Sequence, residues 1–569
     1  MFRLLFFLFT FSSITISFAQ EVMLSGKCVD RKGTPIENVK VISKTALVPI
    51  VYTDENGVYD LTFPQLANFD VEYRVTNDII ESERFILKET ITYYNNSPEN
   101  LDYLWVQLEQ NIERPDSKTP LIENEVLNKT ITTDGFAKKF IENPFPGGFN
   151  IDYVKDAKGN AMQYIVNQTM MRIDLDKPLK KGQKISFSIK WWYNIVNYQE
   201  QANNGRSGYE QFKDGNRLYV MAQFFPRMAV YDDVNGWQNK QFIGSGEFAL
   251  VFGDYTVNIT VPSDHIVAAT GSLQNPEKVL TKTELDRFNQ AKKSFDKPVI
   301  IVTQDEATAK ESVKSTKKST WTYKAQNVRD FAFASSRKYI WDAQAVKLAT
   351  KTPLAMSYYP KEANPLWETE STLAIKNTLE VYSDRTIEYP YPVAISVSAA
   401  NQGMEYPMIC FNYGRPNADG YVSPRTRDGN ISVIVHEVGH NFFPMIINSD
   451  ERQWTWMDEG LNTFLERETK RLRYPDLDLV WGSPAGVTRY MKGDKSKITP
   501  IMTNSEQVKQ FGYNAYGKPS AALTLLRETV MGPELFDAAF KEYATRWAFK
   551  HPMPADFFRT MEDASAVDL

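Results

Sequence analysis

Apolar and polar residues alternate with a period of two through most of the first 335 positions, and beyond them the period lengthens. Period two marks strands with two unlike faces; a period near 3.6 marks helices with one buried stripe. "KCVDRKGTPIENVKVIS" (27–43) holds a Lys-Gly turn and then alternation through Val39, Val41 and Ser43. "VYTDENGVYDLTF" (51–63) repeats the pattern around Asn56-Gly57, a hairpin-turn pair. "KISFSIKWWYNIVNY" (184–198) and "EFALVFGDYTVNITVPSDHIVAATGSL" (247–273) alternate over long spans, as two-faced sheets do. A lysine-rich stretch at about 281–318 interrupts them and reads as an exposed helical insertion.

From about 336 the helical period takes over. "STLAIKNTLEVYSDRTI" (371–387) reads as a helix that ends before "YPYP" (389–392). A short buried strand, "VAISVSA" (393–399), leads to "NQGMEYPMICF" (401–411), with its "GMEY" on a further strand. "ISVIVHEVGHNFF" (431–443) and "MDEGLNTFLERETKRL" (457–472) read as helices, as do "KPSAALTLLRETV" (518–530) and "ELFDAAFKEYATRWAF" (534–549). The expected fold is therefore multidomain α+β. A small β-sandwich (20–110) comes first, then a large β-sheet domain (111–335), then a mostly α domain (336–569).

Length agrees: 569 residues exceed what one hydrophobic core serves, so three or more domains are expected. A net charge of −5 argues against a nucleic-acid binder, which needs a basic face to meet phosphates. The opening "MFRLLFFLFTFSSITISFAQ" has Arg3, an apolar run, and Ser17-Phe18-Ala19 ahead of Gln20. That is the layout of a secretory signal peptide over 1–19, which implies an exported protein, periplasmic or secreted. No later stretch reaches the roughly 20 apolar residues of a transmembrane segment. Cys28 and Cys410 stand far apart and read as small buried hydrophobes rather than a bridge.

The chain has four histidines, and two of them, His436 and His440, flank Glu437 in "HEVGH". Residues four apart on a helix share a face, with Cβ atoms about 5–6 Å apart, so both imidazoles can reach one ion. Neutral imidazole suits zinc, and a catalytic zinc keeps three protein ligands and one position for water. Glu459, with eighteen residues between it and His440, is placed to return as the third ligand from a second helix. Glu437, beside the first ligand, can take the proton of a zinc-bound water. Glu466 and Glu468 lie farther along the same helix and read as solvated or supporting groups. His265, alone in the strand region, reads as structural.

HEVGH with the spaced Glu459 in "WMDEGLNTFLE" (456–466) resembles the gluzincin aminopeptidases, the family of aminopeptidase N. "GMEYP" (403–407) resembles the exopeptidase motif of that family, and "YGKPSAALTLL" (516–526) the segment after its third ligand. The three motifs stand in the family's order, and the resemblance covers roughly 111–569. It implies a thermolysin-like catalytic domain with one Zn2+ per chain, held by His436, His440 and Glu459, and Glu437 as general base. It further implies that Gly403, Met404 and Glu405 bind the substrate, with Glu405 on the free α-amine, and that Tyr516 donates to the oxyanion. Tyr513 competes with Tyr516 but lacks a lysine at the spacing of Lys518.

Gln223 in "MAQFFPR" (221–227) would add an amide to the amine pocket. Tyr406 and Asp458 stand where the family has asparagines, and family members continue into further helices, so the resemblance implies a truncated C-terminal helical domain or an unusually open site. The expected function is removal of N-terminal residues from peptides with a free N-terminus. The alternatives are an endopeptidase or other hydrolase on this scaffold, or a catalytically silent peptide-binding protein.

The first segment carries "G-x-C-V-D-x-x-G-x-P-I-x-x-V-x-V" (26–41) and "T-D-x-x-G-x-Y-x-L" (53–61). This order resembles the carboxypeptidase regulatory-like domain and implies a non-catalytic β-sandwich for docking or attachment, with no partner indicated.

Overall fold

A computed structural model describes residues 84–119, 132–133, 145–199, 206–400 and 402–568. It also gives the strands Val22–Lys27, Lys40–Val41, Val51–Tyr52, Val58–Phe63 and Val71–Asn77. The expected signal peptide, Cys28 and the Asn56-Gly57 turn lie outside the described residues. The chain divides into two compact units, Met1–Asn68 and Phe69–Leu569. In the first, Val22–Lys27 pairs antiparallel with Val58–Phe63, and Lys40–Val41 with Val51–Tyr52.

The boundary expected at residue 110 therefore moves to 68. The strands Val71–Asn77, Arg84–Tyr94 and Leu101–Gln107 belong to the larger unit. Val71–Asn77 runs parallel to Gly253–Pro262, and Arg84–Tyr94 antiparallel to Lys184–Asn194. Leu101–Gln107 pairs with Met170–Leu179. The alternating pattern marks these strands but not these partners, which lie roughly 60 to 180 residues away. Burial supplies the reason for the pairing: Phe85, Leu87, Ile91 and Tyr93 all face the core, where Phe85 packs on Phe224 and Phe333.

The β part of this unit contains sheets of seven, five and four strands. Trp191 and Trp321 are buried there. Burying an aromatic side chain removes about 150–250 Å² from water. His265 sits in this region, 2% exposed, with Nδ1 2.9 Å from Ser335 Oγ, a structural histidine as expected.

The lysine-rich stretch is not a free-standing insertion. Its helices Lys282–Ala291 and Gln304–Val313 start on the capping boxes of Thr281 and Thr303. Between them Val299–Val302 pairs with Ile340–Ala345 as the outer strand of a six-stranded mixed sheet. That sheet continues through Leu354–Tyr359, Val393–Ser398 and Ile409–Asn412 to the edge strand Gly403–Tyr406. Helix Leu366–Arg385 packs on the sheet and on helix Pro424–Gly439, which in turn packs on Leu461–Arg473. Cys410 is buried on the sheet as a free thiol. Among the described residues no helix is long and apolar enough to cross a membrane.

Candidate active site

Helix Pro424–Gly439 begins on Ser423, whose Oγ accepts from the Thr426 N–H at 3.0 Å, with proline at the first helical position. It ends at His440, so both histidines sit on the last turn, where the helix carboxyl end favours positive charge. Gly439 costs the helix about 1 kcal/mol of propensity, and the packing explains it. A Cβ there would lie 2.3 Å from both Asn462 Oδ1 and Tyr382 Oη. The glycine lets the next helix approach until Asn462 Nδ2 donates to the His436 carbonyl at 2.8 Å. Glu459 arrives on a wide helical turn, Trp456–Gly460, that opens into Leu461–Arg473. Such turns recur at functional sites.

The three expected ligands converge. His436 Nε2 lies 3.0 Å from His440 Nε2 and 3.0 Å from Glu459 Oε2, and His440 Nε2 is 3.2 Å from the same oxygen. A tetrahedral ion with bonds of about 2.0–2.1 Å keeps its donors about 3.3 Å apart, so two imidazoles and one carboxylate fit zinc here. The outer nitrogens are held too. His436 Nδ1 is 3.2 Å from Glu466 Oε2, and His440 Nδ1 is 2.8 Å from the Phe443 carbonyl and 3.0 Å from Asp458 Oδ1. Carboxylate and carbonyl partners of this kind orient the ring and raise its basicity. Glu466 is thus neither solvated nor remote: it is 6% exposed and bridges His436 to Lys470. Asp458, which the sequence reading treated only as a departure, supports His440.

Electrostatics point the same way. Burial opposes charge on Glu459, yet the two imidazoles hold its carboxyl well below the usual range. Burial likewise works against charged His436, and the carboxylates of Glu459 and Glu466 overcome it, lifting the ring to about 10. A pocket that pulls protons onto both histidines is one that favours a cation.

Glu437 is 6% exposed, and burial pushes its carboxyl up to about 8 against the pull of His436 and His440. Its Oε2 has no hydrogen-bond partner among the described residues. Gly403 passes close by: a Cβ there would stand 2.9 Å from Glu437 Oε1 and 3.0 Å from Val433 Cγ2, so a side chain at 403 would displace the Glu437 carboxylate. Glu405, 3% exposed on the same edge strand, is raised to about 8 by burial, with Oε1 unpartnered among the described residues. Met404 lies against the Arg206 guanidinium, which also donates to Glu247 Oε1 at 3.0 Å. Tyr406 leaves the strand in register, Glu405 facing Cys410, and packs its ring on Phe248 and Phe411.

Tyr516 and Tyr513 separate cleanly. Tyr516 Oη donates to Glu459 Oε1 at 2.5 Å, and its ring stacks on His436 with centroids 5.6 Å apart. Tyr513 instead stacks on Tyr490 and packs at a tilt on Trp481. Gln223 is fully buried in a left-handed backbone (φ 52°), with both amide atoms unpartnered among the described residues. Two residues the sequence did not single out, Glu247 and Glu451, bring carboxylate oxygens within 4.8 Å of those of Glu405 and Asp458. No spacing rule could have found them, because they come from different parts of the chain.

Residues 372–569 match the model of the peptidase family M1 domain. That stretch is similar to the M1 domain and holds His436, His440, Glu459 and Tyr516. Human glutamyl aminopeptidase is 26% identical over 142 residues, 24% of this chain and 15% of that protein. A probable aminopeptidase 2 of Sulfurisphaera tokodaii is 24% identical over 202 residues, 33% of this chain and 26% of its own length. The chain thus spans about a quarter or less of these curated relatives. An M1 zinc metallopeptidase of Deinococcus radiodurans has the same fold, with a TM-score of 0.56 at 14% identity, covering 89% of this chain and 94% of that one. The same enzyme is known with a Tyr-Ser-Ala substrate bound, at a TM-score of 0.55, 14% identity and coverage of 89% and 93%. The chain thus combines a zinc-type donor set with a neighbouring acidic pocket.

Proposed function

We propose that the protein is a zinc-dependent aminopeptidase that removes N-terminal residues from peptides. The observation that carries it is the junction of two sites: three converging donors at His436, His440 and Glu459, and beside Glu437 the carboxylate of Glu405, whose Oε1 is unpartnered among the described residues. Bound there, zinc supplies Lewis acidity, polarising a peptide carbonyl and making water more acidic. Glu437, free at Oε2, takes the proton of the attacking water and passes it to the departing amine. Its raised proton affinity suits both halves of that exchange. Glu405 binds the substrate ammonium by a charge-assisted contact, which sets the cut one residue from the end. Gln223 adds a neutral acceptor to the same amine. Tyr516 Oη is the donor for the oxyanion, and Asp458 and Glu466 keep the two imidazoles in orientation.

The relatives' names support the reaction class, and the bound Tyr-Ser-Ala of the Deinococcus radiodurans enzyme supports peptides as substrates. Metal analysis combined with free and N-acetylated versions of one peptide tests the reading. It requires about one zinc per chain and cleavage of the free peptide alone; equal cleavage of both would remove the role of Glu405.

The same reading gives the protein an export leader over 1–19 and makes the first unit an attachment module outside the reaction. Deleting residues 20–68 leaves kcat/KM within about two-fold, as for a separate domain. Deleting 20–108 takes three strands from the larger unit and yields no folded enzyme. Equal activity of the two deletions would restore the boundary at 110.

A further inference from the structure

Six buried charges lie behind the metal corner. Arg227, Arg329 and Arg452 are 0%, 1% and 3% exposed, and Glu109, Asp330 and Glu451 are 0%, 1% and 0% exposed. The signs cancel. Arg227 Nη2 is 2.6 Å from Glu109 Oε1, and the same guanidinium pairs with Asp330. Arg329 pairs with Glu451 and donates to Asn448 Oδ1 at 2.7 Å. Arg452 donates to the Gly246 carbonyl at 3.0 Å, to Gln107 Oε1 at 3.1 Å and to Glu109 Oε1 at 3.3 Å.

Taking an ion out of water costs several kcal/mol, and apolar residues of equal volume often stabilise a fold as well as a buried ion pair does. Stability is therefore a poor account of six such charges in one place. Fixing a register is the better-attested role, and the network spans a junction where register matters. On one side lie Gln107, Glu109 and the segment 246–250 of the β part. On the other lies 448–452, within the connection between His440 and Glu459. The two run together: the Glu451 N–H donates to the Phe248 carbonyl at 3.2 Å, and the Phe248 N–H to Glu451 Oε2 at 3.2 Å. Asn448 Nδ2 donates to the Leu250 carbonyl at 2.6 Å. Three residues past Arg452, the Thr455 N–H donates to Ser505 Oγ at 3.1 Å, and the wide turn with Asp458 and Glu459 follows.

We propose that this buried network is a register clamp that positions Asp458 and Glu459 against His440, with Arg452, Arg329 and Glu451 as positioning residues for the metal centre. The inference rests on reading His436, His440 and Glu459 as metal ligands. Its test uses the zinc-loaded full chain and follows zinc loss to excess chelator, together with the visible spectrum of the cobalt-substituted protein. Arg452→Met releases zinc about 10–100-fold faster, the range seen when groups behind a metal ligand are changed. Its cobalt bands shift while far-UV circular dichroism is retained, and Arg452→Lys falls between it and the parent. Glu451→Gln, which keeps the size of the side chain and removes its charge, also speeds release and decides the matter if Arg452→Met does not fold.

Lys338→Met is the control. Lys338 is fully buried among Asp214, Glu311 and Glu362, so its loss destabilises the fold while leaving zinc release unchanged. Parental release rates in Arg452→Met and Glu451→Gln overturn the clamp, as does equal acceleration by Lys338→Met. A parent chain that binds no stoichiometric zinc overturns the metal reading itself, and the clamp with it.

Discussion

The metal corner and the acidic pocket beside it touch, yet they are built in opposite ways. Two donors of the corner share one helical turn, and the third returns on the next helix, 19 residues beyond His440. The pocket draws Glu247 from the β part, Glu405 from a sheet edge, Glu451 from a connection and Asp458 from the ligand turn. Local geometry is enough to bring the two imidazoles of the first together; the second exists only once the whole unit has closed. The corner is anchored by helix hydrogen bonds and the Gly439 contact, the pocket by long-range pairs such as Arg206 with Glu247. The corner should thus fail by losing metal or chemistry, and the Glu405 end of the pocket by losing selectivity.

The largest expected effect separates chemistry from metal binding. Glu437→Gln lowers kcat by about 10²–10⁴, the usual range for removing a general base. Metal analysis of the purified variant should still give the parental zinc content. Zinc lost in parallel with activity would merge the two functions that the geometry keeps apart.

Glu405→Gln sharpens the other half of the comparison. A hydrogen bond to a charged group is worth about 1.5–3 kcal/mol, so kcat/KM for a free N-terminus falls about 10–100-fold. An N-acetylated peptide stays uncleaved, and zinc content and far-UV circular dichroism stay parental. A fall in kcat/KM accompanied by loss of zinc or of the folded state would place Glu405 in structure, not in selectivity.

Glu466→Gln weakens the orientation of His436 and reduces zinc affinity about 10–100-fold, measurable by competition with a chromophoric chelator. Substrate selectivity at saturating zinc stays as in the parent. A selectivity change would join corner and pocket more closely than their contacts imply.

The smallest effect lies away from both. Asp342 is fully buried, accepts from Tyr359 Oη at 2.7 Å and Thr372 Oγ1 at 2.5 Å, and burial lifts it to about 7. The ordinary value is near 3.9. The folded chain thus holds a proton the unfolded chain has released, so stability falls as pH rises from about 4 through 7. Asp342→Asn flattens that limb of a plot of melting temperature against pH. An unaltered slope would assign the loss to other groups.

How much was legible follows the same division. The pair His436 and His440, the base beside them and the distance to Glu459 could be read because helix geometry converts spacing into position. Tyr516 needed the family resemblance to be chosen over Tyr513, and the structure separates them by their contacts. Strands were legible as alternation, but the pattern does not name partners, so Val71–Asn77 and its two successors were assigned to the wrong unit. Spacing left Glu466 as either a solvated or a supporting group, because its burial depends on the His436 ring, which packs from another helix; the structure shows it supporting.

Sequence alone determined the chemistry on offer: two imidazoles, a base and a carboxylate on helical turns whose periods fix which way they face. Tertiary structure decided what surrounds them, namely which acids gather beside the donors, which carboxylates steer the imidazoles, and which charges are shut away from water. The physical reason is range. Backbone geometry acts over a few residues, whereas burial and Coulomb contact act on whatever folding brings within a few ångströms, however far apart in the chain.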